Sequence, residues 1–585
     1  MWLPLLALLF FVLTAWSIAA VANRTFGPVT KNILLLLIAA VCVYMLAVPA
    51  TGDGPSLSAA RAQILAGHVP LWDGEPLLAN PGLALAHPFT LLACLVGTTQ
   101  LTVALRLLVA LLFAFILFRS WGVGNAAALF GAIGYGFCTT QIVAPGALTL
   151  ATLPLALAAA QELVRAPRVR TLAALTVALT LTIVGGDIPT AIRVAIATVA
   201  YVIFLSRSTR LFLFATFTLS FAVGLTAFFW MPLRDVAPHV ALTGSTWSWS
   251  QLLSFLAPNI LGATGPGYAG IVALVLAPIG MLRSDRREKW FCLALTLLGF
   301  WPLSVAALAA LGVCVLARHA ISPLALRIAA GCVAFALLTL WFARAEYLDP
   351  AFVWTYSLTS FIALALFVLL ACEWRIFPAV LAALLTFGEL TIMARQAKPE
   401  PTHFDNARYA RLHDEAQNEL IRFAKTPPAF AVGSYNVQAE IGDVIPRLRT
   451  IMDFRAKAIV HDVPPSLSED APQLAHGSAS APRMVRIREQ TVREIRIDVG
   501  QAAGWSLLAT HQVDWPGWRA YWNGSRLPVV TVDGAFSGAF VPPQAGMLVL
   551  RYWPAPFIDG VRISVSCLIL FVIALALGAR WVSNR

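Results

Sequence analysis

The sequence predicts a polytopic α-helical membrane protein of about 13–15 spans, with a C-terminal extracytoplasmic β-rich, sandwich-like domain and a final transmembrane helix. Three observations predict this fold class. The chain is 59% hydrophobic and only 12% charged, with mean hydropathy +0.77, whereas a soluble domain is about 45–50% apolar and about 25% charged. Apolar runs of bilayer-crossing length, about 17–25 residues, recur up to residue 393. The segment 394–558 differs in kind, alternating short apolar strings with charges, prolines and glycines.

In order, the apolar runs lie near 2–22, 33–50, 99–118, 125–143, 148–164, 171–185, 188–206, 211–231, 269–282, 322–342, 351–371, 376–393 and 561–579. The first lacks a basic leader and an A-x-A-like cleavage site, so it is expected to be a retained helix. Basic clusters fall between alternate runs: Arg24 and Lys31, Arg119, 165–170, 207–210, 283–289, Arg375, then Arg580 and Arg585. The positive-inside bias makes these turns cytoplasmic. The loop 51–98, the PGAL and GGDIP turns, 232–268 and 394–558 then fall outside. For Lys289 and Arg375 both to lie inside, an even number of crossings must separate them. That favours a helical hairpin over 290–317, turning around WPLS.

The expected organisation is a multi-span membrane domain at 1–393 with a first external loop at 51–98, an extracytoplasmic α/β then β-sandwich-like domain at 394–558, and a terminal transmembrane helix with a short cytoplasmic tail at 559–585. Within 394–558, HFDNARYARLHDEAQNELIRFAK reads as helix and MVRIREQTVREIRIDV as two strands. WSLLATHQV, GWRAYWNG, LPVVTV, GAFSGAFV and GMLVLRYW read as further short strands. Asn523-Gly524 is a favoured tight hairpin turn, and 464–482 reads as a loop.

Composition narrows the chemistry. All eight cysteines lie in apolar segments without metal-ligand spacing, so neither a disulfide framework nor a zinc site is indicated. The +12 net charge is that of cytoplasmic turns rather than of a nucleic-acid binder. No P-loop, zinc-protease motif or Ser/His/Asp arrangement is recognisable.

What remains is a set of polar residues at the outer membrane boundary, where charge is costly unless it meets a partner, a cavity or the interface. The first external loop gathers Asp53, Arg61, His68, Asp73, Glu75 and His87. SLSAARAQILAG can form an interfacial helix there, which would hold these groups over a pocket at membrane level. A second turn carries Asp187 and, one turn into the next run, Arg193; the Asp is either a helix cap or a functional carboxylate. Arg234, beside Asp235, is either an interfacial anchor or a substrate contact. Carboxylates with nearby cations suit glycosyl transfer, where one takes an acceptor proton and the other offsets charge on a departing phosphate. Asp53 and Asp187 could also hold Mg2+ or Mn2+. Trp515, Trp518 and Trp522 read either as sandwich core or as an exposed glycan or partner surface.

Two stretches resemble the YfhO-type bacterial membrane proteins of the GT-C glycosyltransferase superfamily: GDGPSLSAARAQILAGHVPLWDGEPLLANPG, and DWPGWRAYWNGSRLPVVTVDGAFSGAFVPPQAGMLVLRYWPAPFIDGVRIS. The resemblance implies a GT-C fold and a membrane glycosyltransferase of the bacterial cytoplasmic membrane, active on its outer face. It also implies a polyprenyl-phosphate-linked sugar donor and an envelope glycan or lipid acceptor. Asp53 stands where such enzymes carry the acidic residue of the first external loop, a base or metal ligand. Asp187 departs from the His expected in a GGHP-like turn. The contrasting expectation is a non-enzymatic lipid or polysaccharide transporter or envelope-assembly protein, with charges spread through several mid-helix positions.

Overall fold

The computed structural model describes residues 29–47, 61, 87–96, 99–138, 140–141, 147–236, 267–316 and 377–396. It also describes, with short gaps, 418–463, 474, 482–553 and 555–583. The expected spans at 2–22, 322–342 and 351–371 lie outside these residues. So do nearly all of the first external loop and, apart from Leu474, the 464–482 loop.

The helices run α1 Val29–Ala47, α2 Pro88–Val96, α3 Thr99–Ser120, α4 Asn125–Gly136, α5 Ala147–Ala151, α6 Leu153–Arg165, α7 Val169–Ile183, α8 Ile188–Leu205, α9 Thr209–Leu225, α10 Ala227–Val236, α11 Ile271–Arg283, α12 Glu288–Leu297, α13 Trp301–Leu316, α14 Phe377–Gln396, α15 Val444–Leu448 and α16 Ala555–Ser583. Among the described residues, four stretches are long and apolar enough to cross a membrane: Val103–Ser120, Ala147–Arg165, Ile188–Leu205 and Ala555–Ala576. Shorter apolar helices include Val169–Ile183, Thr209–Leu225, Ile271–Arg283 and Trp301–Leu316. Two predicted runs are each split, at Thr152 between α5 and α6 and at Thr226 between α9 and α10. Each threonine hydroxyl bonds back to a carbonyl of the preceding turn, the local competition that bends helices.

The 290–317 segment is two helices, as the charge pattern requires. α12 stops because Gly299, at φ +85°, lets its own N–H reach Thr296 O (3.0 Å) and the Phe300 N–H reach Leu295 O (2.9 Å). This is a Schellman ending that only a left-handed residue closes without strain. α13 then returns along α11, and the two approach so closely that a methyl on Gly280 would sit 1.8 Å from Leu308 O. Without water to drive helices together inside a bilayer, such small-residue crossings supply the packing. Around them Leu107, Leu111, Phe118, Leu157, Leu175, Val194 and Ala306 are fully buried.

The second part is a two-sheet sandwich. Its strands are β1 Ala429–Ala431, β2 Ser434–Gln438, β3 Lys457–His461, β4 Val485–Gln490, β5 Glu494–Val499, β6 Ser506–Val513, β7 Trp518–Trp522, β8 Ser525–Leu527, β9 Val530–Val532, β10 Phe536–Val541 and β11 Gly546–Tyr552. One sheet has the order β1-β6-β10-β9-β3-β2 and the other β4-β5-β11-β7-β8. All strands read from the sequence over 484–552 form. β2 and β3 pair in parallel, so the sandwich is not wholly antiparallel; the chain crosses between them through α15. Asn523 (φ +46°) and Gly524 (φ +89°) make the β7–β8 turn.

Burial separates the two sheets. In the six-stranded sheet every residue of β6 and β10 is buried, because this sheet is covered on both faces. One face meets Phe423, Val444, Leu448 and Leu474, and the other meets its partner sheet. β5 and β7 instead alternate, turning Ile495, Ile497, Trp518 and Trp522 into the inter-sheet core and their polar residues outward. Trp518 and Trp522 are 6% and 8% exposed, so of the two readings they take the sandwich core; Trp515 lies outside the described residues.

α16 joins the two parts. Going down α16, Gly560 meets Ala227, Ser564 meets Phe228 and Gly224, Cys567 meets Gly224, and Phe571 meets Phe221. The rising and falling numbers show that α16 runs antiparallel to α9 and α10. Ser564 Oγ accepts from Phe228 N–H (3.1 Å) and donates to Gly224 O (3.2 Å), satisfying groups freed where α9 breaks from α10.

Candidate functional site

The helix bundle has two chemically distinct ends. At one end the basic turns meet each other. Arg165 donates to Ser120 O, the Ser120 hydroxyl donates to Gln161, Gly122 lies against the Arg286 guanidinium, and Arg287 sits 6.0 Å from the Phe204 ring centroid. Trp121 Nε1 donates to the Tyr201 hydroxyl at 2.7 Å. The turns after α3, α6, α8 and α11 therefore form one surface, as the alternation of basic clusters predicts.

The other end is assembled by a separate chain of contacts. Tyr135 donates to Leu150 O, and Gly134 approaches Ala269 O. Gly270 leans on Thr386 and Glu389, while Gly185 presses against Thr149. No arginine-to-carbonyl bond fastens this end among the described residues.

The GGDIP turn sits here. A Cβ on Gly185 would fall 2.5 Å from Thr149 Oγ1 and 2.8 Å from its backbone, so the turn can seat against α5 only without a side chain. Gly186 follows at φ +104°. Asp187 is half-buried at the N-cap of α8, its Oδ1 accepting from Thr190 N–H and its own N–H reaching Thr149 Oγ1, both at 3.5 Å. A carboxylate offers about four acceptor positions, and this long cap occupies one of them. The cap is thus real, and it leaves the carboxylate with acceptor capacity to spare. Arg193, one and a half turns on, donates Nη2 to Thr190 Oγ1 at 2.7 Å and stands 5.9 Å from the Phe300 ring centroid. The structure brings Asp187 and Arg193 to one turn without making them an ion pair.

The remaining candidates are placed unevenly. His87 is fully buried just before α2; its Nδ1 accepts from Phe89 N–H (3.2 Å), and its Nε2 has no partner. Arg61 is exposed. Arg234 lies in α10, its side chain outside the described residues. Asp53, His68, Asp73 and Glu75 all lie outside them. Among the described residues no three His, Cys, Asp or Glu converge as a metal site; of the proposed Asp53 and Asp187 ligand pair, only Asp187 is described.

Two groups missed in the sequence stand inside apolar helices. Arg106, in α3, has the Tyr44 hydroxyl and the Cys138 thiol within electrostatic range, and its Nε is buried without a partner. Just past α4, buried Gln141 leaves both amide atoms unpaired, and Thr140 its hydroxyl. Glu389, in α14, accepts from Ile271 N–H at 3.1 and 3.2 Å and from the Tyr268 hydroxyl. It caps α11 from a neighbouring helix. Among the described residues neither Arg106 nor Arg193 has a carboxylate partner. The signal that would have found Arg106 and Glu389 is the cost of a charge in a span, which applies to mid-helix positions as well as to helix ends.

No family model matches this sequence, and no curated relative does. Among solved structures, ArnT from Cupriavidus metallidurans bound to undecaprenyl phosphate is similar at 14% identity and TM-score 0.39, over 80% of this chain and 98% of that one. Two cryo-EM classes of a mutant of the arabinofuranosyltransferase AftD from Mycobacteria are similar at 16% and 14% identity, with TM-scores 0.36 and 0.35. They cover 51% and 69% of this chain but 27% and 30% of AftD, so this chain spans less than a third of that protein. These are distant likenesses, and the chemistry of this chain is argued from its own residues.

Proposed function

We propose that the chain is a GT-C-type membrane glycosyltransferase. In this reading it moves a sugar from a polyprenyl-phosphate-linked donor to a cell-envelope glycan or lipid acceptor on the outer face of the bacterial cytoplasmic membrane. The observation that carries the reading is the half-buried Asp187, loosely capped and one and a half turns from Arg193, at the bundle end opposite the basic turns. A lipid-linked substrate is met at such a boundary, and a cation without a carboxylate partner there suits a phosphate.

In the proposed reaction the acceptor hydroxyl oxygen attacks the anomeric carbon and the carbon–oxygen bond to phosphate breaks. The lipid phosphate leaves with the electron pair, and the configuration inverts. Asp53 takes the hydroxyl proton, and Asp187 orients the acceptor or shares a divalent ion with Asp53. Arg193, with Arg61 and Arg234, offsets the charge of the departing phosphate; His68, Asp73, Glu75 and His87 complete the loop above the substrate. Mg2+ or Mn2+, if required, would be held by the two aspartates through oxygen ligands. The transporter alternative would draw on charges inside the spans, such as Arg106 and Glu389; the turn that carries Asp187 and Arg193 is what favours transfer.

The test is transfer from a labelled polyprenyl-phosphate sugar by the full chain in proteoliposomes, beside a comparison of envelope glycans in a deletion strain and its parent. Asp53→Asn and Asp187→Asn are expected to abolish transfer while insertion stays normal, and the deletion strain to accumulate donor and lack one decoration. An active Asp53→Asn protein would remove the base assignment, and unchanged glycans and donor levels would remove the function.

A further inference from the structure

The outward face of the five-stranded sheet ends close to the start of α16. β11 finishes at Tyr552, and α16 begins three residues later at Ala555, a connection of at most about 10 Å. The apolar stretch of α16 also opens at Ala555, and Phe557 in its first turn packs on the inter-sheet core. The sheet is thereby held close to the start of the apolar stretch of α16. Two backbone bonds show which residues share this edge: Tyr552 N–H donates to Arg493 O and Trp553 N–H to Gly517 O, both at 2.8 Å.

Three arginines stand along the edge. In register, Arg551 pairs with Glu494 on one side and Arg519 on the other, so these three side chains share the outward face; Arg493 lies at the same end of the sheet, one residue before Glu494. Glu494 is already shared, accepting from Arg551 Nε and Arg496 Nε at 2.6 Å each. These contacts outweigh its partial burial and hold its carboxyl below the ordinary range. The other outward carboxylates, Glu489 and Asp498, face Arg496 and Arg488. Among the described residues Arg493 and Arg519 have no ion-pair partner. Arg519 also stands directly opposite Arg551, an arrangement that repels unless an anion lies between the two. Beside them Trp553 is 40% exposed, the residue type that settles at headgroup depth.

We propose that this edge, Arg493, Arg519 and Arg551 flanked by Trp553, docks on the anionic phospholipid headgroups of the leaflet from which α16 emerges, and so fixes the sandwich against the membrane. The charge is complementary, the tether keeps the edge within about 10 Å of the start of α16, and guanidinium pairs phosphate through two hydrogen bonds. This inference is independent of the glycosyltransferase reading.

The test uses the full chain in nanodiscs of phosphatidylcholine alone and of a mixture rich in phosphatidylglycerol, with hydrogen exchange followed on peptides covering 491–496 and 517–521. Exchange is expected to slow in the anionic discs by roughly five-fold for each arginine engaged. The slowing should disappear in Arg493→Gln/Arg519→Gln and at high salt, where the Debye length falls to about 3 Å. Unchanged exchange of β6 and β10 in the variant shows that it has folded. Equal exchange in both discs overturns the proposal, as does an anionic-lipid effect that survives in the folded double variant. Protection by a soluble anionic glycan in phosphatidylcholine discs, with no effect of phosphatidylglycerol, overturns it in favour of a glycan surface.

Discussion

The two ends of the helix bundle are built from similar apolar helices and finished in opposite ways. At the basic end arginine and serine side chains are spent on the ends of helices: Arg165 on the Ser120 carbonyl, Arg119 on Val123 O at 2.6 Å. At the other end glycines press on neighbouring helices, while buried Gln141 and Thr140 lie beside Tyr135 and Cys138 with no hydrogen bond of standard geometry. A buried polar atom without a partner costs about 1–3 kcal/mol, so the second end carries a penalty that the first avoids. That is the pattern expected where a fold keeps groups ready for a ligand.

The contrast breaks most sharply through its arginines. Arg193→Met is expected to lower the proposed glycosyl transfer by about a hundred-fold, the usual loss when a preorganised charge donor is removed. Arg165→Met should change it less than about three-fold, since its Glu162 contact is an exposed pair of the kind worth under about 1 kcal/mol. Equal losses in a transfer assay would erase the distinction between the ends.

Glycines sharpen it next. Gly185→Ala places a Cβ against Thr149 backbone and is expected to cost about 1–3 kcal/mol. Gly124, at the N-cap of α4 with φ −60° and nothing within 4 Å of a new Cβ, should accept Ala within about 0.5 kcal/mol. Thermal unfolding in detergent, read side by side, decides whether the GGDIP turn is as tightly seated as its geometry shows.

The sandwich supplies a reference away from both ends. Asp533 is 1% exposed at φ +50° in the turn before β10; its Oδ1 accepts from Ile459 N–H at 2.8 Å and its Oδ2 has no partner. Burial pushes its pKa up to about 8. The unfolded chain loses this proton near the ordinary carboxylate value while the folded chain keeps it. Stability should therefore fall as pH rises between about 4 and about 8, by at most about 1.4 kcal/mol per pH unit. Asp533→Asn keeps the acceptor and tolerates the left-handed backbone, so it should flatten that slope in a melting series, whereas an unchanged slope would place the titrating group elsewhere.

How much of this the sequence disclosed depended on how local each signal is. The β7–β8 turn announces itself through Asn523-Gly524, and the 290–317 hairpin follows from counting charged turns. The inward positions of Trp518 and Trp522 follow from two-residue alternation, once the strand is placed. The parallel β2–β3 pair was not legible, because the strands are short and eighteen positions, 439 to 456, lie between them. Among site residues, Asp187 and Arg193 were legible as charges at a helix start. Arg106 and Glu389 hid inside apolar runs, where one charge barely alters average hydropathy, and their partners come from distant helices. The role of Glu389 exists only because α14 lies beside the start of α11.

Ser564 has a consequence in time. It bonds Phe228 across 336 positions of sequence, and a ribosome adds about 5–20 residues per second. For roughly 17 to 67 seconds after Phe228 is made, the groove at Gly224 and Ala227 waits without the helix that fills it, with the broken backbone between α9 and α10 seeking other partners in the lipid. The bundle therefore closes late, only once α16 has been made.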